Sequence, residues 1–66
     1  MLNLKFQRVS KEWTQDVLAS KSNVAKNYIS LAENKRLIPT PQMQVKLANA
    51  LGWSDAPAKL FEEKED

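Results

Sequence analysis

The feature that most constrains this chain is the stretch from Thr14 to Glu33, which reads TQDVLASKSNVAKNYISLAE. Thr14 is a preferred N-cap residue, and Asp16 in the following turn favours the helix dipole. The polar run that ends at Asn23 interrupts the apolar pattern, and Asn23 tolerates the left-handed conformation that a tight turn between helices needs. The stretch therefore predicts two short helices joined by a sharp turn over residues 14–34.

The residue types exclude several classes of protein. The 66 residues suffice for one domain, near the lower size limit for a core without staples. The chain contains no Cys and no His, so disulfides, the usual zinc ligand sets and histidine bases are excluded. Gly52 is the single glycine, which excludes a Gly-rich phosphate loop. We therefore expect no enzyme activity, no metal, no cofactor and no small-molecule ligand.

The distribution of charge is uneven along the chain. Residues 1–36 carry seven basic and three acidic side chains, whereas residues 37–66 carry three basic and five acidic ones. A basic half is typical of a polyanion binder, and a solvated surface with an acidic tail explains the same pattern equally well. Lys5 and Arg8 interrupt the first apolar residues, so neither a signal peptide nor a membrane span is predicted and a cytoplasmic protein is expected.

Apolar spacing predicts the first two helices. A single stripe at helical spacing, expected to face the core, predicts helix 1 over about residues 2–11 and comprises Leu2, Phe6, Val9 and Trp13. Helix 2 follows Thr14, and its predicted buried face comprises Val17, Leu18 and Ala19.

Three further helices are predicted after the turn. Helix 3 covers about residues 25–34, buries Ile29 and Ala32 beside Val24, and leaves outward Lys26, Asn27, Ser30 and Leu31. Helix 4 is capped by Thr40, begins at Pro41 and ends at Leu51 before Gly52. Its inward residues are Met43, Val45, Leu47, Ala48 and Leu51. Helix 5 is capped by Ser54 or Asp55, accepts Pro57 in its first turn, and is anchored by Leu60 and Phe61.

The residues after helix 5 are predicted to form a short charged tail. The charged tail at about residues 62–66 is expected to fray. No strand pattern, repeat or linker is present, so the sequence predicts one compact all-α domain of five helices over residues 1–66.

Many short pieces of the sequence resemble the Cro/lambda-repressor-type helix-turn-helix family, also called the xenobiotic-response-element regulators. Their spacings agree without gaps from Arg8 to Gly52. The matching pieces are Thr14-Gln15, Leu18-Ala19, Val24, Tyr28-Ile29-Ser30, Glu33, Pro39-Thr40, Leu47-Ala48 and Ala50-Leu51-Gly52. The resemblance implies a lambda-repressor-like DNA-binding domain whose helix 3 enters the major groove.

The resemblance implies a role for each matching position. Lys26 and Asn27, with Ser30 as a weaker candidate, match positions that read base edges, since Lys donates to guanine and Asn pairs with adenine. The alternative is a solvated helix face. The positions implied to contact the DNA backbone are Gln15, Tyr28, Lys35 and Arg36. Gln15 is also implied to brace the reading helix; alternatively it completes a helix cap, and Tyr28 belongs to the core.

The resemblance also implies one structural ion pair, between Arg8 of helix 1 and Glu33 at the end of helix 3. The sequence departs from the family at several positions. Asn23 and Lys35 stand where the family has glycine, Ala25 replaces a capping hydroxyl, and Leu31 replaces a polar residue that meets the groove. Two additional residues separate Gly52 from helix 5, where Trp53, Leu60 and Phe61 are either dimer contacts or core residues.

Together these features predict a sequence-specific, double-stranded DNA-binding transcriptional regulator, of the repressor type found in phages, plasmids or mobile elements. It is expected to bind a pseudo-palindromic operator as a homodimer, and to be cytoplasmic and nucleoid-associated in a bacterial host. The alternative is a protein interaction module on the same fold, antitoxin-like or a partner of a regulator, since fold alone does not determine function.

Overall fold

Four α-helices and a short 3₁₀ helix form the domain in a computed structural model that describes residues 1–65. The elements in chain order are α1 (Asn3–Ser10), α2 (Gln15–Ser22), α3 (Lys26–Glu33), α4 (Pro41–Leu51) and the 3₁₀ helix (Pro57–Phe61). The predicted all-α class is confirmed, but the fifth helix is a 3₁₀ helix, so the α-helices number four. None of the helices within residues 1–65 is long and apolar enough to cross a bilayer.

Local caps set the starts of α2 and α4 as predicted. The Thr14 hydroxyl accepts a hydrogen bond from the Val17 amide at 3.2 Å. The Thr40 hydroxyl accepts one from the Met43 amide at 3.3 Å, and Pro41 occupies the first turn of α4. Each bond satisfies one of the free amides at a helix start, which is why these boundaries are readable from sequence.

The start of α3 lacks such a cap. Ala25 is its N-cap residue and makes no side-chain hydrogen bond to the helix. Ser22 remains within α2, where its hydroxyl donates to the Leu18 carbonyl at 2.7 Å and accepts from the Val24 amide at 3.3 Å. Ser22 therefore stabilises the turn between the helices and does not cap α3.

Each of the four α-helices is followed, within two residues of its end, by a residue in the left-handed region. The residues and their φ angles are Glu12 (60°), Asn23 (59°), Lys35 (62°) and Gly52 (69°). Asn23 and Gly52 were predicted at such ends. Lys35 adopts the conformation of the glycine it replaces, and Glu12 was not predicted. Lys and Glu have a Cβ that makes this region costly, by about 1 kcal/mol or more.

Three of these ends, after α1, α3 and α4, share one hydrogen-bond pattern, the Schellman motif. After α1, the Glu12 amide donates to the Val9 carbonyl at 2.9 Å and the Trp13 amide to the Arg8 carbonyl at 3.1 Å. After α3, the equivalent donors are Lys35 and Arg36, whose amides reach Ala32 at 3.2 Å and Leu31 at 2.9 Å. After α4, the Gly52 amide donates to the Asn49 carbonyl at 3.3 Å and the Trp53 amide to the Ala48 carbonyl at 2.9 Å. The pattern satisfies carbonyls that the helix end would leave free, and this offsets the backbone strain.

The core lies where α2 meets α3 and α4, and where the 3₁₀ helix meets α1 and α4. Its completely buried large side chains are Leu4, Leu18, Ile29, Leu47 and Leu60. The predicted stripe of α1 is wrong in part, because Leu4 is 0% exposed whereas Val9 is 49% exposed and Phe6 is also exposed. Val17 and Val45, predicted to be inward, are exposed as well.

The 3₁₀ helix begins differently from the prediction. Ala56 is its N-cap residue, and no side chain caps the helix. Asp55 Oδ1 instead accepts the Ala56 amide at 2.7 Å. This bond, and secondarily the nearby Lys59 ammonium, holds the pKa of Asp55 below its ordinary value of 3.8. The predicted anchors do pack inward, since Leu60 is buried and Phe61 is half-buried.

The segment after the 3₁₀ helix pairs with the start of the chain. The Asn3 amide donates to the Glu62 carbonyl at 3.0 Å, and the Lys64 amide donates to the Met1 carbonyl at 2.9 Å. An antiparallel bridge joins Leu2 and Glu63 between them. The predicted fraying is therefore wrong for residues 62–64, while Asp66 lies outside the described residues.

Candidate nucleic-acid interface

The outer face of α3 presents polar side chains at its start. Lys26 and Asn27, the first two residues of α3, are exposed, while Ile29 and Ala32 are buried on the opposite face. Ser30 lies one turn further on and is half-buried. The structure therefore brings the three predicted base-reading residues to one end of α3. Their ammonium, amide and hydroxyl groups are the donor and acceptor types that pair with base edges.

Leu31 lies further along α3 and is 40% exposed. Its position on the helix follows Ser30 directly, so it interrupts the polar character of the outer face. An apolar side chain here can contact a thymine methyl group in a groove, or an apolar side chain of another protein.

The predicted structural pair, Arg8 and Glu33, lies together in the structure. Arg8 Nε donates to Glu33 Oε2 at 2.8 Å, and Arg8 Nη2 donates to Glu33 Oε1 at 3.1 Å. The two side chains are only 11% and 3% exposed, respectively. Two parallel bonds of this kind fix both distance and orientation. The end of α3 is therefore held against α1.

Arg8 is itself oriented by the turn that follows α1. Its Nη1 donates to the Trp13 carbonyl at 2.8 Å, while the Trp13 amide donates back to the Arg8 carbonyl at 3.1 Å. The turn therefore depends on Arg8 as well as on Glu12 in its left-handed conformation. Because one guanidinium bridges the turn and α3, a change at Arg8 affects both.

Gln15, which the resemblance implied to brace the reading helix, joins the same cluster through a bond to Glu33 that the sequence did not specify. Its Nε2 donates to Glu33 Oε1 at 3.0 Å, so Glu33 accepts from both α1 and α2. Gln15 is the first residue of α2 and is half-buried. Its side chain braces α3 through Glu33, and this leaves one amide hydrogen and the carbonyl oxygen for other partners.

Lys26 pairs with Asp16, a residue for which the sequence predicted only a favourable interaction with the dipole of helix 2. Its ammonium lies 3.4 Å from Asp16 Oδ2, and both side chains are largely exposed. Asp16 and Gln15 are adjacent, so the first turn of α2 contacts both ends of α3: Gln15 reaches Glu33 and Asp16 reaches Lys26. No local sequence signal pairs residues of two different helices, which is why Asp16 was missed.

The remaining cations follow α3. Lys35, which was predicted to contact DNA phosphates, forms an ion pair with Glu63. Glu63 belongs to the segment after the 3₁₀ helix that pairs with the start of the chain. Arg36, the next residue, is exposed. Tyr28, predicted to reach the DNA backbone or to belong to the core, is half-buried and packs against the core.

The three candidate dimer contacts lie at the other end of the chain. Leu60 is completely buried inside the domain, so its side chain is not available to a second subunit. Trp53 and Phe61 are half-buried and pack against the core. The Trp53 indole Nε1 also donates to the Ala56 carbonyl at 2.9 Å, which fixes the approach to the 3₁₀ helix.

The family model described as Helix-turn-helix matches residues 4–55. The match includes α2, α3, α4 and all but the first residue of α1. No curated protein and no solved structure matches the chain.

Proposed function

We propose that this chain, which belongs to the helix-turn-helix family of DNA-binding domains, is a sequence-specific transcriptional regulator of double-stranded DNA. In this proposal α3 enters the major groove, with Lys26 and Asn27 at base edges and Ser30 beside them. The observation that carries the proposal is that the exposed residues Lys26 and Asn27 stand on a helix whose far end is held by Arg8 and Gln15 through Glu33. A braced helix aims its side chains reproducibly, as base reading requires.

The DNA backbone is the second element of the proposal. Arg36 and Lys35 follow α3 and contribute salt-dependent affinity for phosphates, and Gln15 and Tyr28 offer additional polar contacts. The short α3 reads too few base pairs for tight discrimination, so the operator is pseudo-palindromic and a homodimer binds it. Trp53 and Phe61 are the proposed dimer contacts. A repressor of phage, plasmid or mobile-element type fits these properties.

The test begins with selection of bound fragments from random duplex DNA, which also yields the half-site spacing. Lys26→Ala and Asn27→Ala are each expected to cost about 1 to 3 kcal/mol on the selected site, and less on random duplex, because base contacts are lost. Lys59→Ala is the matched control, since Lys59 is a similarly exposed lysine that also pairs with an aspartate, Asp55. Equal losses on selected and random duplexes would exclude the base-reading role.

The second candidate function is a protein interaction module on the same fold. The observation that favours it is Leu31, whose apolar side chain is 40% exposed on α3. Duplex titrations at two salt concentrations separate the candidates, because phosphate contacts make DNA affinity fall steeply with salt. The interaction module is favoured if no salt-sensitive duplex binding is measured.

A further inference from the structure

The ion pair between Asp16 and Lys26 places a carboxylate inside the proposed DNA interface. Its two charged atoms are 3.4 Å apart, and Asp16 is the more exposed of the two residues. A carboxylate at this position repels the phosphates of the DNA backbone and therefore lowers the affinity for DNA. An exposed pair adds at most about 1 kcal/mol to stability, and Asp16 gains a similar amount from the helix dipole in the first turn of α2.

The position of Asp16 is set by rigid neighbours. Gln15, the residue before it, is fixed by its bond to Glu33, and Thr14 caps the same turn of α2. Lys26 has a flexible stem, so the ammonium moves to the carboxylate rather than the reverse. The free protein therefore holds Lys26 at the junction of α2 and α3.

We infer that Asp16 is a specificity-determining residue. When Lys26 leaves Asp16 to bind DNA, the Asp16 carboxylate permits a contact between Lys26 and a guanine edge but makes a contact between Lys26 and a phosphate less favourable. A phosphate that binds Lys26 brings a second negative charge towards Asp16, and the two like charges repel. The O6 and N7 atoms of guanine accept from Lys26 without carrying a full charge. Asp16 thus lowers the contribution of Lys26 to non-specific binding more than its contribution to specific binding. This inference rests on the proposed function.

The test uses Asp16→Asn, which keeps the size of the side chain and removes its charge. At about 0.1 M salt, the variant is expected to bind random duplex about three- to eightfold more tightly, because Lys26 gains one phosphate contact and its counterion release. The slope of log affinity against log salt on random duplex is expected to steepen by about 0.9. The affinity for the selected operator changes less, so the ratio of specific to random affinity falls.

Two controls make the test specific to this pair. Asp55→Asn removes the same charge from the other exposed Asp–Lys pair, with Lys59, and reports the effect of net charge alone. Asp16→Asn in a Lys26→Ala background is expected to leave the salt slope unchanged. The inference is overturned if Asp16→Asn matches Asp55→Asn, or if its effect persists without Lys26. Absence of duplex binding by the unmodified protein contradicts the proposed function instead.

Discussion

Arg8 and Glu33 connect the first helix to the end of α3 through bonds of 2.8 and 3.1 Å. Their residue numbers differ by 25, so the contact is distant in the sequence. Because both side chains are largely buried, the pair is costly to form and more costly to break. The orientation of α3 depends on it.

Removing one partner of this pair is expected to lower the free energy of unfolding. Arg8→Ala leaves the Glu33 carboxylate with Gln15 alone, so we expect a loss of about 3 kcal/mol. The double variant Arg8→Met with Glu33→Leu is expected to be more stable than Arg8→Ala by about 1 to 2 kcal/mol, because no buried charge remains unpaired, even though the Trp13 carbonyl and the Gln15 amide lose their partners. Urea denaturation measures both. A double variant as unstable as the single one contradicts this account.

Gln15→Ala distinguishes bracing from phosphate contact. Loss of the bond to Glu33 is expected to reduce the free energy of unfolding by about 1 to 2 kcal/mol, since the acceptor is charged. A residue that only contacted phosphates would leave stability unchanged. Thermal unfolding supplies the stability, and Asn27→Ala, on the exposed face of α3, is the control that we expect to change stability by less than about 0.5 kcal/mol.

Glu12→Gly is expected to stabilise the protein by about 1 kcal/mol. Glu12 has a φ of 60°, where glycine avoids the clash of a Cβ with the backbone. The neighbouring Lys11 has a φ of −90°, so Lys11→Gly gains no such relief and is expected to destabilise. Melting temperatures of the two variants should shift in opposite directions, and shifts of the same sign would refute the assignment.

Glu63→Gln tests whether the terminal segment competes with DNA for Lys35. The structure pairs the Lys35 ammonium with Glu63, so removing the carboxylate is expected to raise duplex affinity a few-fold at low salt. Stability is expected to change by less than about 1 kcal/mol, because the pairs that Glu63 makes with Lys35 and with the N-terminal ammonium are both exposed. Glu62→Gln removes an adjacent charge and serves as the control. Equal affinities of the two variants would indicate a general charge effect.

Asp55 makes the free energy of unfolding depend on pH. The pKa of Asp55 is lowered in the folded chain, chiefly by the Ala56 amide. Its stabilising contribution is therefore present above the ordinary value of 3.8 and is lost as pH falls through the lower folded value. We expect Asp55→Asn to weaken the pH dependence of the unfolding midpoint below about pH 4. Parallel pH profiles for the two proteins would rule this out.

Apolar periodicity alone left the rotation of α1 undetermined. The stripe containing Phe6 and Val9 fits helical spacing, yet Leu4 is the residue that becomes completely buried. Leu4 shares the core cluster with Leu60 of the 3₁₀ helix, which packs against α1 although it is distant in the sequence. Packing with the 3₁₀ helix selects the face, and a local pattern carries no information about it.

The sequence by itself determined the elements whose signals are local. Thr14 and Thr40 bond to amides three residues away, and Asn23 and Gly52 supply left-handed turns, so each boundary depends on adjacent residues. The match of many short pieces in register likewise predicted the family and the Arg8–Glu33 pair.

Only the tertiary structure determined which of the distant polar and charged side chains contact one another. It brings Gln15 within hydrogen-bonding distance of Glu33, and it pairs Asp16 with Lys26 and Glu63 with Lys35. These contacts depend on how helices pack and where the two ends of the chain meet, because the free energy of an ion pair depends on separation in space and not in sequence.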